Sequence, residues 1–196
     1  MSKGTISLIV IGVVVLLLVG GALTSYNGLV QKDEAAATAW SNVQSQYQRR
    51  ADLIPNLVNT VKGYAKHESG TLESVVAARA KATQLTVNAD ELTPEKMKQL
   101  QAAQGKLSQA LGRLLMITEN YPELKANENF RDLQAQLEGT ENRINESRRQ
   151  YNEVVKNYNV GIRSFPANIV AGIFGFEKRT PFEAEAGAEK APSVEF

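Results

Sequence analysis

Residues 40–64 read WSNVQSQYQRRADLIPNLVNTVKGY, and this stretch decides the fold. Trp40, Val43, Tyr47, Ile54, Leu57, Val61 and Tyr64 follow one another at steps of three and four, with one step of seven. Such spacing puts apolar side chains on one stripe of a helix and predicts a seam against other helices. Arg50 falls on the skipped position of that stripe. The same register runs back through Tyr26, so this helix is expected to continue into whatever precedes it. Pro55 interrupts the stripe chemically: it has no N–H and crowds the preceding turn, which predicts a kink rather than a break. Gly70 is expected to close this first helix near Glu68 and Ser69.

Upstream, Thr5 to Leu23 reads TISLIVIGVVVLLLVGGAL and contains no charge. A spanning helix needs about 20 apolar residues, and in lipid only a helix satisfies the backbone of such a stretch. The competing reading is a cleaved signal sequence, with Gly20, Gly21 and Ala22 as small residues near a cleavage point. The apolar run is longer than the usual signal core of about 7–15 residues, which favours a retained anchor. Lys3 and the amino terminus favour an inside N-terminus, against Lys32, Arg49 and Arg50 on the far side.

Downstream, the helical period persists and no strand-like alternation appears. A second helix is expected from Thr71 to Thr86, with Leu72, Val75, Val76 and alanines inward. Thr93-Pro94-Glu95 is a start signal: a capping hydroxyl, a proline at the first position and an acid at the positive end. The third helix carries Leu100, Leu107, Leu111, Leu114, Ile117 and Tyr121, and Pro122 to Asn129 marks its exit. The fourth carries Phe130, Leu133, Leu137, Ile144, Tyr151, Val154, Tyr158 and Ile162 on a heptad grid. The expected fold is all-α: an N-terminal transmembrane helix continuing into an elongated antiparallel four-helix bundle. The divisions are 1–25 for the anchor, 26–164 for the bundle, 165–182 for an apolar aromatic segment and 183–196 for a tail. From Glu177 onward, charge mixes with Ala, Gly and Pro, the composition of disordered chain.

Two blocks, Arg49-Arg50-Ala51-Asp52-Leu53-Ile54-Pro55-Asn56-Leu57-Val58 and Leu137-Glu138-Gly139-Thr140-Glu141-Asn142-Arg143-Ile144, carry a resemblance. Val61 to Glu68, Tyr121 to Asn127, Tyr158-Asn159, Phe165-Pro166 and Phe174-Gly175-Phe176 extend it. Together, from about Tyr26 to Phe182, the chain resembles the LemA family of bacterial membrane proteins. The resemblance implies a bacterial source, one N-terminal span and a long helical bundle, and it supplies no reaction or cofactor. The expected location is the bacterial inner membrane, single-pass, with the bundle on the extracytoplasmic side.

The sequence offers little to catalysis. It has no cysteine, which excludes disulfides, thiolate metal sites and cysteine nucleophiles. His67 is the one histidine, and Thr71 stands where a zincin helix needs its second. No Gly-x-Ser-x-Gly elbow or phosphate-cradling glycine loop occurs. A formal charge of +1 gives no broad basis for nucleic-acid binding. The expectation is a binding protein with no cofactor, whose partners are the lipid membrane, further copies of itself and other membrane proteins.

Two sets of residues are candidates for that role. Arg49, Arg50, Asp52, Asn56, Arg79, Glu138, Glu141, Asn142 and Arg143 fall on or beside the stripes. They form either an internal network that fixes register or a binding surface, with the network favoured because a buried charge must be paired. Phe165, Ile169, Ile173, Phe174 and Phe176 form an apolar segment at the end nearest the anchor. They are expected to cap the bundle, lie at the lipid interface or pack against another copy.

Overall fold

A computed structural model describes residues 3–65 and 67–183. Helix α1 runs from Lys3 to Tyr64 without interruption, 62 residues, or about 93 Å at 1.5 Å per residue. The apolar stretch and the first bundle helix are therefore one rod. Helix α2 spans Ser69–Gln84, a single 3-10 turn spans Ala89–Glu91, and α3 spans Pro94–Thr118. A short α4, Pro122–Ala126, leads into α5, Glu128–Gly161, and α6 is Ala167–Phe174. All regular elements among the described residues are helices.

Helix α5 returns along α1, and the α2–α3 hairpin packs beside them. Two core clusters stack along the rod. One gathers Ile54, Leu57 and Val61 with Leu107, Leu114, Phe130 and Leu137. The other gathers Trp40, Val43 and Tyr47 with Met97, Leu100, Ile144, Tyr151 and Val155. The heptad stripes of α1 and α5 supply most of the second cluster, whereas α2 and α3 supply half of the first through Leu72, Val75, Ala82, Leu107, Ala110, Leu111 and Leu114.

Local chemistry explains the boundaries. The Thr93 hydroxyl accepts from Lys96 N at 3.2 Å, with Pro94 at the first helical position, so the expected start of α3 is correct. Asn127 caps α5 by accepting from Phe130 N at 3.0 Å. The joint between α2 and α3 is pinned to α1 because Trp40 Nε1 and Gln44 Nε2 both donate to Val87 O, at 2.8 and 3.0 Å.

Three expectations need correction. Gly70 does not end the first helix: α1 stops at Tyr64, and Gly70 sits in the first turn of α2. Tyr64 is 41% exposed rather than core, because the stripe has reached the end of the bundle there. Its hydroxyl accepts from Asn127 Nδ2 at 3.0 Å. Val76, expected inward, is 51% exposed because α2 meets neighbours along one narrow face, through Leu72, Val75 and Ala82.

Helix α1 continues through Pro55. Proline cannot donate to Ala51 O one turn earlier, and that carbonyl is instead taken by Arg79 Nε of α2 at 2.7 Å. The proline thus creates the acceptor that ties α2 to α1. Arg79→Ala is expected to cost about 1–2 kcal/mol, the magnitude of a charge-assisted hydrogen bond. In a Pro55→Ala background the backbone satisfies Ala51 O itself, and the cost of losing Arg79 should shrink. Urea melts of the four chains measure this coupling, and strictly additive losses would show that the two residues act independently.

Candidate functional site

The membrane-proximal end of the bundle brings together three features. The first is the bare stretch of α1. From Ile6 to Leu23 its large apolar side chains lie in the open, reaching 73% exposure at Leu16, and the helix is long and apolar enough to cross a membrane.

The second is α6. Val170 and Ala171 pack with Leu29, Tyr158 and Ile162, beside Tyr26 and Phe176. The Tyr26 ring lies 4.8 Å from that of Phe174 and 5.7 Å from that of Phe176. Much of this short segment nonetheless stays exposed: Phe165 82%, Ile173 72%, Ile169 55%, and Phe174 60% even beside its contact with Tyr26. Tyr26 follows Leu23 by less than one helical turn. The apolar side of α6 therefore adjoins the apolar surface of α1. Of the five residues expected to act together, Phe176 is half-buried and caps the bundle, while the other four present an open face. Gly175 ends α6 at φ 74°, in the left-handed region that glycine enters at no steric cost, and Phe176 N closes the turn on Ala171 O at 3.0 Å.

The third feature overturns an expectation. Residues 177–183 are ordered onto the bundle, not disordered. They form an extended strap running back along α5. Arg179 ion-pairs with Asp33 through Nε and Nη2 at 2.6 and 3.0 Å, reaches Asp90 at 3.0 Å and donates to Ala89 O at 2.9 Å. The bonds to Asp33 and Asp90 hold its guanidinium well above the ordinary arginine pKa. Phe182 is buried between Trp40 and Tyr151, at ring distances of 5.8 and 5.5 Å. Tyr151 and Tyr158 donate to Thr180 O and Glu177 O, both at 2.9 Å. Burial pushes each phenol up to about 12, and for Tyr158 the nearby Asp33 charge adds to this. Both therefore remain donors at any pH near neutrality. The expected tail of 183–196 lies, apart from Glu183, outside the described residues.

Sequence reasoning missed Asp33, Asp90, Asn152, Asn159, Arg179 and Phe182. A signal was present: Tyr151-Asn152 and Tyr158-Asn159 repeat one dipeptide at heptad spacing.

The polar candidates divide. Arg50, 1% exposed, joins α1 to α3 and α5: Nη1 donates to Ser108 Oγ at 2.8 Å and Glu141 Oε1 at 2.5 Å, and Nη2 to Gln104 Oε1. Arg50 and Glu141 thus belong to an internal network that links α1 to α3 and α5. Arg49 and Asp52 are exposed and line a groove of about 730 Å³ between α1, α2 and α3, with Gln44, Gln48, Leu53 and Leu85. Asn56, Glu138, Asn142 and Arg143 are surface residues. His67 is exposed in the turn between α1 and α2. Among the described residues, no group of three or more His, Asp or Glu is arranged to hold a metal.

An elongated helical bundle hung on one long apolar helix defines the class: a helical protein with, among the described residues, a single candidate membrane span. The LemA family model matches residues 39–196, and the chain belongs to the LemA family. It is similar to magnetosome protein MamQ of Magnetospirillum gryphiswaldense, 29% identical over 193 residues, covering 88% of this chain and 69% of that protein. Magnetosome protein MamQ 2 of Paramagnetospirillum magneticum is 28% identical over 189 residues, with the same coverage. Protein LemA of Metamycoplasma hominis is 26% identical over 145 residues, covering 74% of this chain and 63% of that protein.

Proposed function

We propose that this protein is a single-pass membrane scaffold that self-assembles at the bacterial inner membrane and works by binding rather than catalysis. The observation that carries this reading is the continuity of α1, which joins the exposed apolar stretch to the bundle core without a hinge. A rod so joined transmits the orientation of the span to the whole bundle. The open face of α6 adds a second contact at the same level. Burying Phe165, Ile169, Ile173 and Phe174 in the lipid interface or against a neighbouring copy is worth about 1.5–3 kcal/mol for each side chain fully covered. Two contacts fix tilt and rotation, which favours lateral association over free tumbling. The charge at Lys3 supports a bundle on the extracytoplasmic side.

A second reading, a monomeric adaptor for another membrane protein, draws on the groove between α1, α2 and α3. Its mixture of amides, charges and leucines suits a protein partner.

The deciding measurement is the mass of the full-length chain in nanodiscs, beside a chain beginning at Tyr26 and one carrying Phe165→Ser, Ile169→Ser, Ile173→Ser and Phe174→Ser. The scaffold reading expects a discrete assembly that shrinks in the quadruple variant while helicity is kept. One chain per particle throughout would sink it and move the case to the adaptor.

A further inference from the structure

The strap is held in a way that packing alone does not require. Four side chains of α5, Tyr151, Asn152, Tyr158 and Asn159, make six hydrogen bonds to its backbone. Each asparagine grips one residue at both ends. Asn159 accepts from Arg179 N at 3.0 Å and donates to Arg179 O at 2.8 Å. Asn152 accepts from Phe182 N at 2.8 Å and donates to Phe182 O at 3.0 Å. Tyr158 and Tyr151 bind Glu177 O and Thr180 O. This is how a site reads an extended peptide: main-chain bonds give affinity without regard to sequence, and pockets at intervals give specificity. There are two pockets. An acidic one, Asp33 with Asp90, takes the guanidinium of Arg179. An aromatic one, Trp40 with Tyr151, takes the Phe182 ring, and the Arg148 guanidinium covers it at 4.7 Å.

We infer that this face of α5 is a peptide-recognition site for an extended segment with an arginine and, three residues on, an aromatic ring, and that the strap of a second copy fills it as its own strap does. A strap arriving from another copy meets identical contacts, so cis and trans occupancy differ only in how the segment is tethered. The tether turns at Gly175, where a glycine can change φ and ψ without steric cost. Strap exchange would be one means of the self-assembly proposed above, but peptide recognition does not depend on that reading.

The first arm of the test measures recognition alone. The full-length chain carrying Arg179→Ala and Phe182→Ala, in nanodiscs of phosphatidylcholine and phosphatidylglycerol, is titrated with a fluorescent peptide of residues 176–183. Saturable anisotropy change is expected. Adding Asn152→Ala and Asn159→Ala should weaken binding by about 30-fold or more, since four backbone hydrogen bonds are lost. A helical strap variant that ignores the peptide, or binds it equally well without the asparagines, overturns the proposal. Should the strap variant not fold, a protease site placed after Gly175 of the otherwise native chain replaces it. After cleavage the strap is expected to stay with the bundle and to leave on addition of excess peptide; its immediate loss on gel filtration counts against the site.

The second arm identifies the source. A chain with an intact strap but Asn152→Ala and Asn159→Ala is mixed with the strap variant. One-to-one pairing of the two is expected. Peptide binding without pairing would overturn the second copy as occupant. Wild-type assemblies that keep their size in both variants would leave the scaffold reading standing on other contacts.

Discussion

Glu141→Ala is expected to lower the stability of the bundle by about 3 kcal/mol, whereas Arg50→Met costs less than about 1 kcal/mol. The two residues form one ion pair at 2.5 Å, but their surroundings are unequal: the Arg50 side chain is 1% exposed and that of Glu141 37%. Removing the carboxylate leaves a guanidinium in the core with Ser108 and Gln104 for company and with its Nε already unpartnered. A buried charge without its counter-charge is the costly half of such a pair. Removing the arginine leaves a carboxylate that water can reach, and methionine fills much of the vacated volume. The double variant should therefore recover most of what Glu141→Ala loses. For a chain of this size, 3 kcal/mol corresponds to about 6–12 °C in Tm. Thermal melts of the two single variants and the double variant decide the matter. Equal losses in the two single variants would mean that the pair contributes net stability and that burial of the charge is not the dominant cost.

Phe182→Ala is expected to expose Trp40 while leaving the bundle folded. Truncating a buried phenylalanine typically costs about 3–5 kcal/mol. Here the loss from global stability should be smaller, because the strap can leave the bundle as a unit and the cost stops at the free energy that docks it. The effect appears locally instead. Trp40 is the one tryptophan of the chain, and Phe182 and Tyr151 lie against it. Its emission should move to longer wavelength while the far-ultraviolet spectrum stays helical. The backbone amides at positions 179 and 182, which in the native chain donate to Asn159 and Asn152, should exchange about 100-fold faster for a local loss near 3 kcal/mol. An unchanged emission maximum would show that the strap stays docked without its aromatic anchor.

Several elements are legible in the sequence. The step pattern from Trp40 to Val61 names the buried face of α1 almost residue by residue. Thr93-Pro94 locates the start of α3 because capping is a local event. Arg50, on the skipped step of an apolar stripe, advertises a buried charge and hence a partner. The apolar segment after α5 also declares itself, since Phe165, Ile169 and Ile173 have no polar reason to be there. Other features could not be read in this way. Glu141 lies 91 residues from Arg50, and several carboxylates share its helix, so choosing among them needs the register of α5 against α1. Tyr64 obeys the stripe and is nonetheless exposed, because periodicity assigns a face and not the length of the neighbour that covers it.

The sequence by itself determined the helices, the single long apolar segment and the absence of cysteine chemistry, because each depends on residues within a few turns of one another. Tertiary structure alone decided that residues 177–183 are docked. Asp33 and Arg179 are 146 residues apart, and neither shows in its local composition that it has a partner. Only the folding of α5 back along α1 sets Tyr151, Asn152, Tyr158 and Asn159 opposite an extended backbone. Such a segment has no period of its own, because its hydrogen bonds go to side chains of another element and leave no repeat in its own sequence.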